Sequence, residues 1–204
     1  MPLDDHHLQR LRDAVNTAKG RVYTNWRVVS GPPFSGKTTL VDSLGSCGYQ
    51  TVADYGRQAI CENLQEGRTK VDARNDFERL QRRISDLTLD EATAHAPLEI
   101  VVWDYSLPDN LAYLAVTGHG WPEIFIERAI RFRFKQVFLL QPVGDFDHLA
   151  DPVRVESLAF RLELYRVMKE VYETLGTEVV EVAELSPESR LSRAKTYLSF
   201  DRTA

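Results

Sequence analysis

Short apolar runs alternate with amphipathic stretches along most of this chain. Residues 26–30, 49–53, 99–103, 136–140 and 178–182 are rich in valine, leucine, isoleucine and aromatic side chains, and 99–103 and 136–140 are apolar almost without interruption. Runs of this length predict strands, and the uninterrupted ones predict burial on both faces of a parallel sheet. The intervening stretches repeat with the helical period. Phe77, Leu80, Ile84 and Leu87 share one face of a long helix within 57–95, which breaks near Gly67. Further helices are expected over 37–44, 108–118, 123–131 and 153–175, the last with Leu158, Leu162, Tyr165, Tyr172 and Leu175 along its buried side. Ser186 and Pro187 read as the N-cap and first turn of a final helix ending near Ser199. Within the N-terminal extension 1–25, Leu8, Leu11, Val15 and Ala18 recur at helical spacing, so an amphipathic helix over 3–19 has the sheet or a second subunit of a homodimer as its partner. Five strands alternating with helices, with no internal repeat, predict an α/β fold with an open parallel sheet covered on both faces.

The first strand-to-helix junction carries the strongest chemical signal. Gly31-Pro32-Pro33-Phe34-Ser35-Gly36-Lys37-Thr38-Thr39 meets the pattern G-x-x-x-x-G-K-[ST] at every fixed position and sits between a strand and a helix, as that motif requires. Glycines at 31 and 36 let the backbone curl so that successive N–H groups face inward, and the N-terminus of the following helix adds positive potential. Such a nest takes the phosphates of a nucleoside triphosphate, ATP or GTP, with Lys37 at the β/γ-phosphates and the Thr38 hydroxyl on Mg²⁺. Pro32 and Pro33 each withhold a backbone donor. With this loop the fold expectation becomes a P-loop three-layer sandwich whose five strands take the order 2-3-1-4-5, as one domain over 1–204.

Composition narrows the setting. The 204 residues suffice for one α/β domain with a full core. A net charge of −5, with no dominant cluster of lysine and arginine, argues against a nucleic-acid partner. Cys47 and Cys61 have no CxxC spacing and read as structural thiols in a reducing compartment. No basic segment followed by an apolar one opens the chain, and no run of about 18 apolar residues occurs, so a cytoplasmic protein without a membrane partner is expected.

Ligands of open parallel sheets gather at the C-terminal ends of the strands, which here are marked by Ser30, Asp54, Asp104 and Gln141. Asp104 is placed to hold Mg²⁺ through water, and Asp109 is the better candidate for a helix-capping aspartate. Asp54 is a candidate base for an acceptor hydroxyl. Arg57, one helical turn on, either pairs with Asp54 or clamps an anionic group of the acceptor. The segment 141–157 is rich in proline and aspartate and reads as a mobile lid. Arg154 and Arg161 follow it as guanidinium groups able to cover the transferring phosphoryl, Arg154 being nearer the flexible end. Trp103, Tyr105, His119 and Trp121 are candidates for lining a planar acceptor's pocket, though Trp103 alternates with strand residues and suits the core equally.

Three further segments carry a family resemblance. Gly48-Tyr49-Gln50-Thr51-Val52-Ala53-Asp54-Tyr55-Gly56-Arg57 is similar to Gly-Tyr-x-Val-Val-x-Glu-x-x-Arg, and Asp104-Tyr105-Ser106-Leu107-Pro108-Asp109-Asn110-Leu111-Ala112-Tyr113 to Asp-Arg-Gly-x-Pro-Asp-x-x-Ala-Tyr. Asp151-Pro152-Val153-Arg154 matches a lid Asp-x-x-Arg that precedes a helix ending in Tyr-x-x-x-Gly, here Tyr172 and Gly176. Together with the loop, these segments resemble the NadR-like P-loop proteins, labelled AAA-family ATPases and close in architecture to nucleoside and nucleotide kinases. Asp54 stands where that group has Glu, and Tyr105 where it has Arg. The resemblance implies an ATP- and Mg²⁺-dependent phosphotransferase acting on a small metabolite such as a nucleoside or nucleotide. Lys37, Asp54, Asp104 and Arg154 would carry catalysis, Thr38 and Asp104 the metal, and Asp54, Arg57, Tyr105 and Arg161 the acceptor. The alternative is an NTPase or nucleotide-gated switch without a small-molecule acceptor.

Overall fold

The computed structural model describes residues 5–65, 76–142, 157–184 and 186–199. In chain order its elements are α1 (Asp5–Thr17), β1 (Val22–Tyr23), β2 (Arg27–Ser30), α2 (Lys37–Ser46), β3 (Gln50–Val52), α3 (Gly56–Gln65), α4 (Phe77–Ala92), β4 (Val101–Asp104), α5 (Leu107–Val116), α6 (Glu123–Arg131), β5 (Phe132–Arg133), β6 (Gln136–Leu140), α7 (Leu158–Thr174), β7 (Glu178–Val182) and α8 (Pro187–Ser199). Five strands form one parallel sheet in the order β3-β4-β2-β6-β7, which is 2-3-1-4-5 when these five alone are counted along the chain. β2 lies at the centre, with Val29 opposite Asp104 of β4 and Ser30 opposite Leu139 of β6. All residues of β2, β4 and β6 are buried, the outcome expected of strands covered on both faces.

Strand alternation divides the core in two. Val28, Trp103, Val137 and Leu139 belong to a cluster with Leu111 of α5, Phe125 of α6 and Val171 of α7. Val29, Val102, Phe138 and Leu140 belong to another with Leu40 and Leu44 of α2 and Ala194 and Leu198 of α8. Successive strand residues point to opposite faces, so one sequence run supplies both layers. The helix α1 packs on α6 and α7 of its own chain, and its Leu8 and Leu11 enter the first cluster.

Three local expectations are corrected. β1 and β5 form a second, two-stranded parallel sheet that has no counterpart in the hydrophobic pattern, because two-residue strands leave no period to detect. On α7 the buried face is Arg161, Leu164, Val167, Met168, Val171 and Tyr172, while Leu158 and Leu162 are 41% and 52% exposed. The apolar residues form more than one stripe around that helix, and packing against α5 selected the stripe that carries an arginine. Cys47 and Cys61 are free thiols as expected, but both are exposed rather than packed as structural residues. Among the described residues no helix is long and apolar enough to cross a membrane.

Trp26 anchors the larger cluster. It is fully buried, its ring lies 5.2 Å from that of Trp103 and 5.1 Å from that of Phe132, and its indole N–H donates to the Ala96 carbonyl at 3.1 Å. Replacing Trp26 by Ala is expected to cost about 3–5 kcal/mol of unfolding free energy in a urea titration, and a loss under about 1 kcal/mol would contradict its place in the core.

Candidate functional site

The loop between β2 and α2 keeps its curl through two glycines. Gly31 has φ 147°, and a Cβ there would lie 2.6 Å from the Leu140 carbonyl oxygen and 2.8 Å from Ser35 Oγ. Gly36 has φ 86°, with a Cβ position 2.6 Å from Arg190 Nη1. Neither position has room for a side chain, and neither conformation suits one. Among the described residues Phe34 and Tyr105 are the non-glycine residues at positive φ, 62° and 73°. One lies in the loop and the other directly follows Asp104, and backbone strain of this kind gathers at functional sites. Within the loop Pro32, Pro33 and Ser35 are buried, whereas Thr38 and Thr39 at the start of α2 are exposed. The Lys37 ammonium folds back over the loop, donating to the carbonyls of Gly31 at 2.9 Å and Pro32 at 3.0 Å.

Beside the loop, the Thr38 hydroxyl donates to Asp104 Oδ2 at 2.8 Å. Asp104 is buried at the end of β4, and its Oδ1 has no hydrogen-bond partner among the described residues. Burial pushes its carboxyl above the usual range, Lys37 and the Thr38 hydroxyl pull it down, and Asp54 and Asp42 push it further up. An orphaned buried carboxylate oxygen next to a hydroxyl suits a hard cation that takes oxygen ligands, so Thr38 and Asp104 fit Mg²⁺ carried by a triphosphate. The metal would neutralise charge on the β- and γ-oxygens.

The remaining expected residues are scattered. Asp54 follows β3, half-buried, and its Oδ1 accepts the Gly56 N–H at 2.8 Å, opening α3. Its charge reaches both Asp104 and Tyr105. Arg57 is exposed on the first turn of α3. Tyr105 is buried against Ala59, Leu80 and Ile84, and its hydroxyl donates to Gln81 Oε1 at 3.1 Å. Arg161 is buried on the first turn of α7. Arg154 and residues 143–156 of the expected lid lie outside the described residues. Trp103 and Trp121 do not line a pocket: both are in the core, Trp103 beside Trp26 and Trp121 donating its indole N–H to the Leu111 carbonyl at 2.8 Å. His119 packs on the Phe77 ring, with centroids 5.4 Å apart.

Two contacts to the loop region had no sequence signal. Arg190 of α8, 6% exposed, donates from Nη1 to the Ser35 carbonyl and from Nε to the Glu184 carbonyl, at 2.5 and 2.6 Å. It braces the loop from a helix more than 150 residues further along the chain. Asp109, fully buried, accepts hydrogen bonds from Ser30, Ser106 and Tyr172. Asp109 was the candidate for a helix-capping aspartate, but nothing in the sequence joined it to Ser30 or Tyr172.

The model of a family described as an AAA domain matches residues 26–190. The chain belongs to that family. No curated protein matches the sequence significantly. Among solved structures, this AAA domain is similar to deoxyadenosine kinase from M. mycoides with dCMP and dCDP bound, at 12% identity and a TM-score of 0.60, covering 85% of this chain and 98% of that one. It is also similar to the same enzyme with dATP bound, at 13% identity and a TM-score of 0.56, covering 85% and 99%. Shikimate kinase from Acinetobacter baumannii, in complex with shikimate, matches at 16% identity and a TM-score of 0.51, covering 95% and 99%. At these identities the likeness establishes a shared fold.

Burial pushes the Asp109 carboxyl up to about 6, against the pull of Ser30, the Ser106 N–H, Tyr172 and Lys37. An unfolded aspartate titrates near 4, so between those values the folded chain keeps a proton that the unfolded chain has lost. This group's contribution therefore falls as pH rises through that window, by about 3 kcal/mol in all, and is level above it. Wild-type stability measured relative to Asp109→Asn is expected to decline from about pH 4 to pH 6, and a difference independent of pH would remove this titration.

Proposed function

We propose that this AAA domain is an ATP- and Mg²⁺-dependent phosphotransferase acting on a small hydroxyl- or phosphate-bearing metabolite, such as a nucleoside or nucleotide. The observation that carries this reading is the Thr38–Asp104 contact beside a complete phosphate loop, with one carboxylate oxygen left over for a metal shell. In this scheme Lys37 and the amides of residues 31–39 hold the β/γ-phosphates, and Thr38 and Asp104 hold Mg²⁺. Asp54 accepts the acceptor's proton, Arg57 flanks the acceptor and Arg154 closes over the phosphoryl group, while Tyr105 and Arg161, expected beside the acceptor, are buried and make no contact with it in this scheme. The likeness of the fold to deoxynucleoside and shikimate kinases supports transfer to a small hydroxyl-bearing molecule. Catalysis would come from positioning and from charge stabilisation at the transferring group.

A second reading, an NTPase or nucleotide-gated switch, is favoured by Tyr105. Its hydroxyl is engaged by Gln81, so the position supplies no cation toward an acceptor. Incubation with γ-labelled ATP, Mg²⁺ and a panel of nucleosides, nucleotides and other small alcohols separates the two. Label on an acceptor supports the kinase, and ADP release that no acceptor accelerates supports the switch.

Two substitutions probe the roles. Lys37→Ala is expected to lower transfer by about a hundredfold or more, and unchanged turnover would place the reaction elsewhere. For Asp54→Asn, kcat should fall about a hundredfold while nucleotide affinity stays within about threefold, and equal losses in both would end its role as the base.

A further inference from the structure

Asp109 sits on the first turn of α5, and donors from three separate parts of the chain end on its carboxylate. Oδ1 accepts the Ser30 hydroxyl at 2.5 Å, and Oδ2 accepts the Ser106 N–H at 2.8 Å and the Tyr172 hydroxyl at 3.0 Å. Ser30 is the last residue of β2, immediately before Gly31. Ser106 lies two residues beyond Asp104. Tyr172 belongs to α7. Capping α5 requires the Ser106 bond alone, so the bonds from Ser30 and Tyr172 go beyond that task. A fully buried carboxylate costs free energy unless every lone pair that matters is matched, and charge-assisted bonds hold their donors at defined separations.

We propose that Asp109 is a positioning residue for the nucleotide–Mg²⁺ complex: it holds the strand end that carries the phosphate loop against the strand end that carries Asp104. The β2–β4 ladder sets Val29 opposite Asp104, and the clamp beyond the ladder's end fixes the remaining freedom in the spacing between Thr38 and Asp104, and so the metal's coordination shell. Asp109 acts through Ser30 and Ser106 and touches neither nucleotide nor metal. The proposal rests on the nucleotide- and Mg²⁺-binding reading of the site, and it does not require turnover.

Asp109→Asn preserves the shape of the site. The amide N–H can donate to the Ser30 hydroxyl, which is also an acceptor, and the amide oxygen can serve Ser106 and Tyr172. The bonds lose their charge assistance and roughly half their strength. Ser30→Ala and Tyr172→Phe each keep the carboxylate and delete one donor. The affinity for ATP is measured in EDTA and again with saturating Mg²⁺, beside circular dichroism and thermal unfolding of each variant. Metal-free affinity is expected to stay within about threefold of wild type, and the enhancement by Mg²⁺ to drop about tenfold in Asp109→Asn and Ser30→Ala and about threefold in Tyr172→Phe. Equal losses with and without Mg²⁺ would overturn the proposal, as would a folded variant with wild-type enhancement. If Asp109→Asn fails to fold, the other two variants decide on the same criteria. A wild-type protein that binds ATP no more tightly with Mg²⁺ sinks the metal-site reading and this proposal together, whereas enhancement that survives in all the variants sinks this proposal alone.

Discussion

The pairing of β2 between β4 and β6 governs everything built above it. It sets Val29 opposite Asp104 and Ser30 opposite Leu139, so the chain leaves β2 beside the carboxylate of one neighbour and the Leu140 carbonyl of the other. The loop has to turn in that gap. A side chain at 31 would collide with backbone, and one at 36 would collide with Arg190, so the two glycines answer to neighbours as much as to their own dihedral angles.

Charge in this region is organised against the balance of the chain, which carries −5 overall. Asp104 and Asp109 are both buried near Lys37, and burial raises the carboxyl of each while Lys37 lowers it. The two carboxylates differ in how they are satisfied. Among the described residues Asp109 receives three donors, whereas Asp104 receives one and keeps an oxygen without a partner. A group satisfied from all sides holds structure, and a group left half-satisfied can bind.

Much of the fold was legible in the chain because its signals are local and periodic. The runs 136–140 and 178–182 coincide with β6 and β7, and 123–131 coincides with α6. The residues of the loop were legible for the same reason, since the motif lies within nine consecutive positions. Amphipathic faces were read less well when several apolar stripes competed. On α7 the helical period allowed the stripe of Leu158 and Leu162, and packing chose the one containing Arg161, Leu164 and Met168. Trp121 looked like a pocket aromatic because its type suits a planar ligand, and Trp103 suited pocket and core alike until alternation along β4 turned it toward Trp26.

By itself, then, the sequence determined the strands of the main sheet with their covering helices, the parallel α/β order and the phosphate loop, each written in neighbouring residues whose spacing dictates local geometry. Only the tertiary structure decided which distant groups meet that loop. Thr38 and Asp104 were expected at one metal, but Arg190 reaches Ser35 across 155 positions, and Ser30 and Tyr172 converge on Asp109 from 79 positions before it and 63 after. Such meetings depend on how the layers stack and on which polar groups remain to be satisfied once they have, and no window of sequence contains that information.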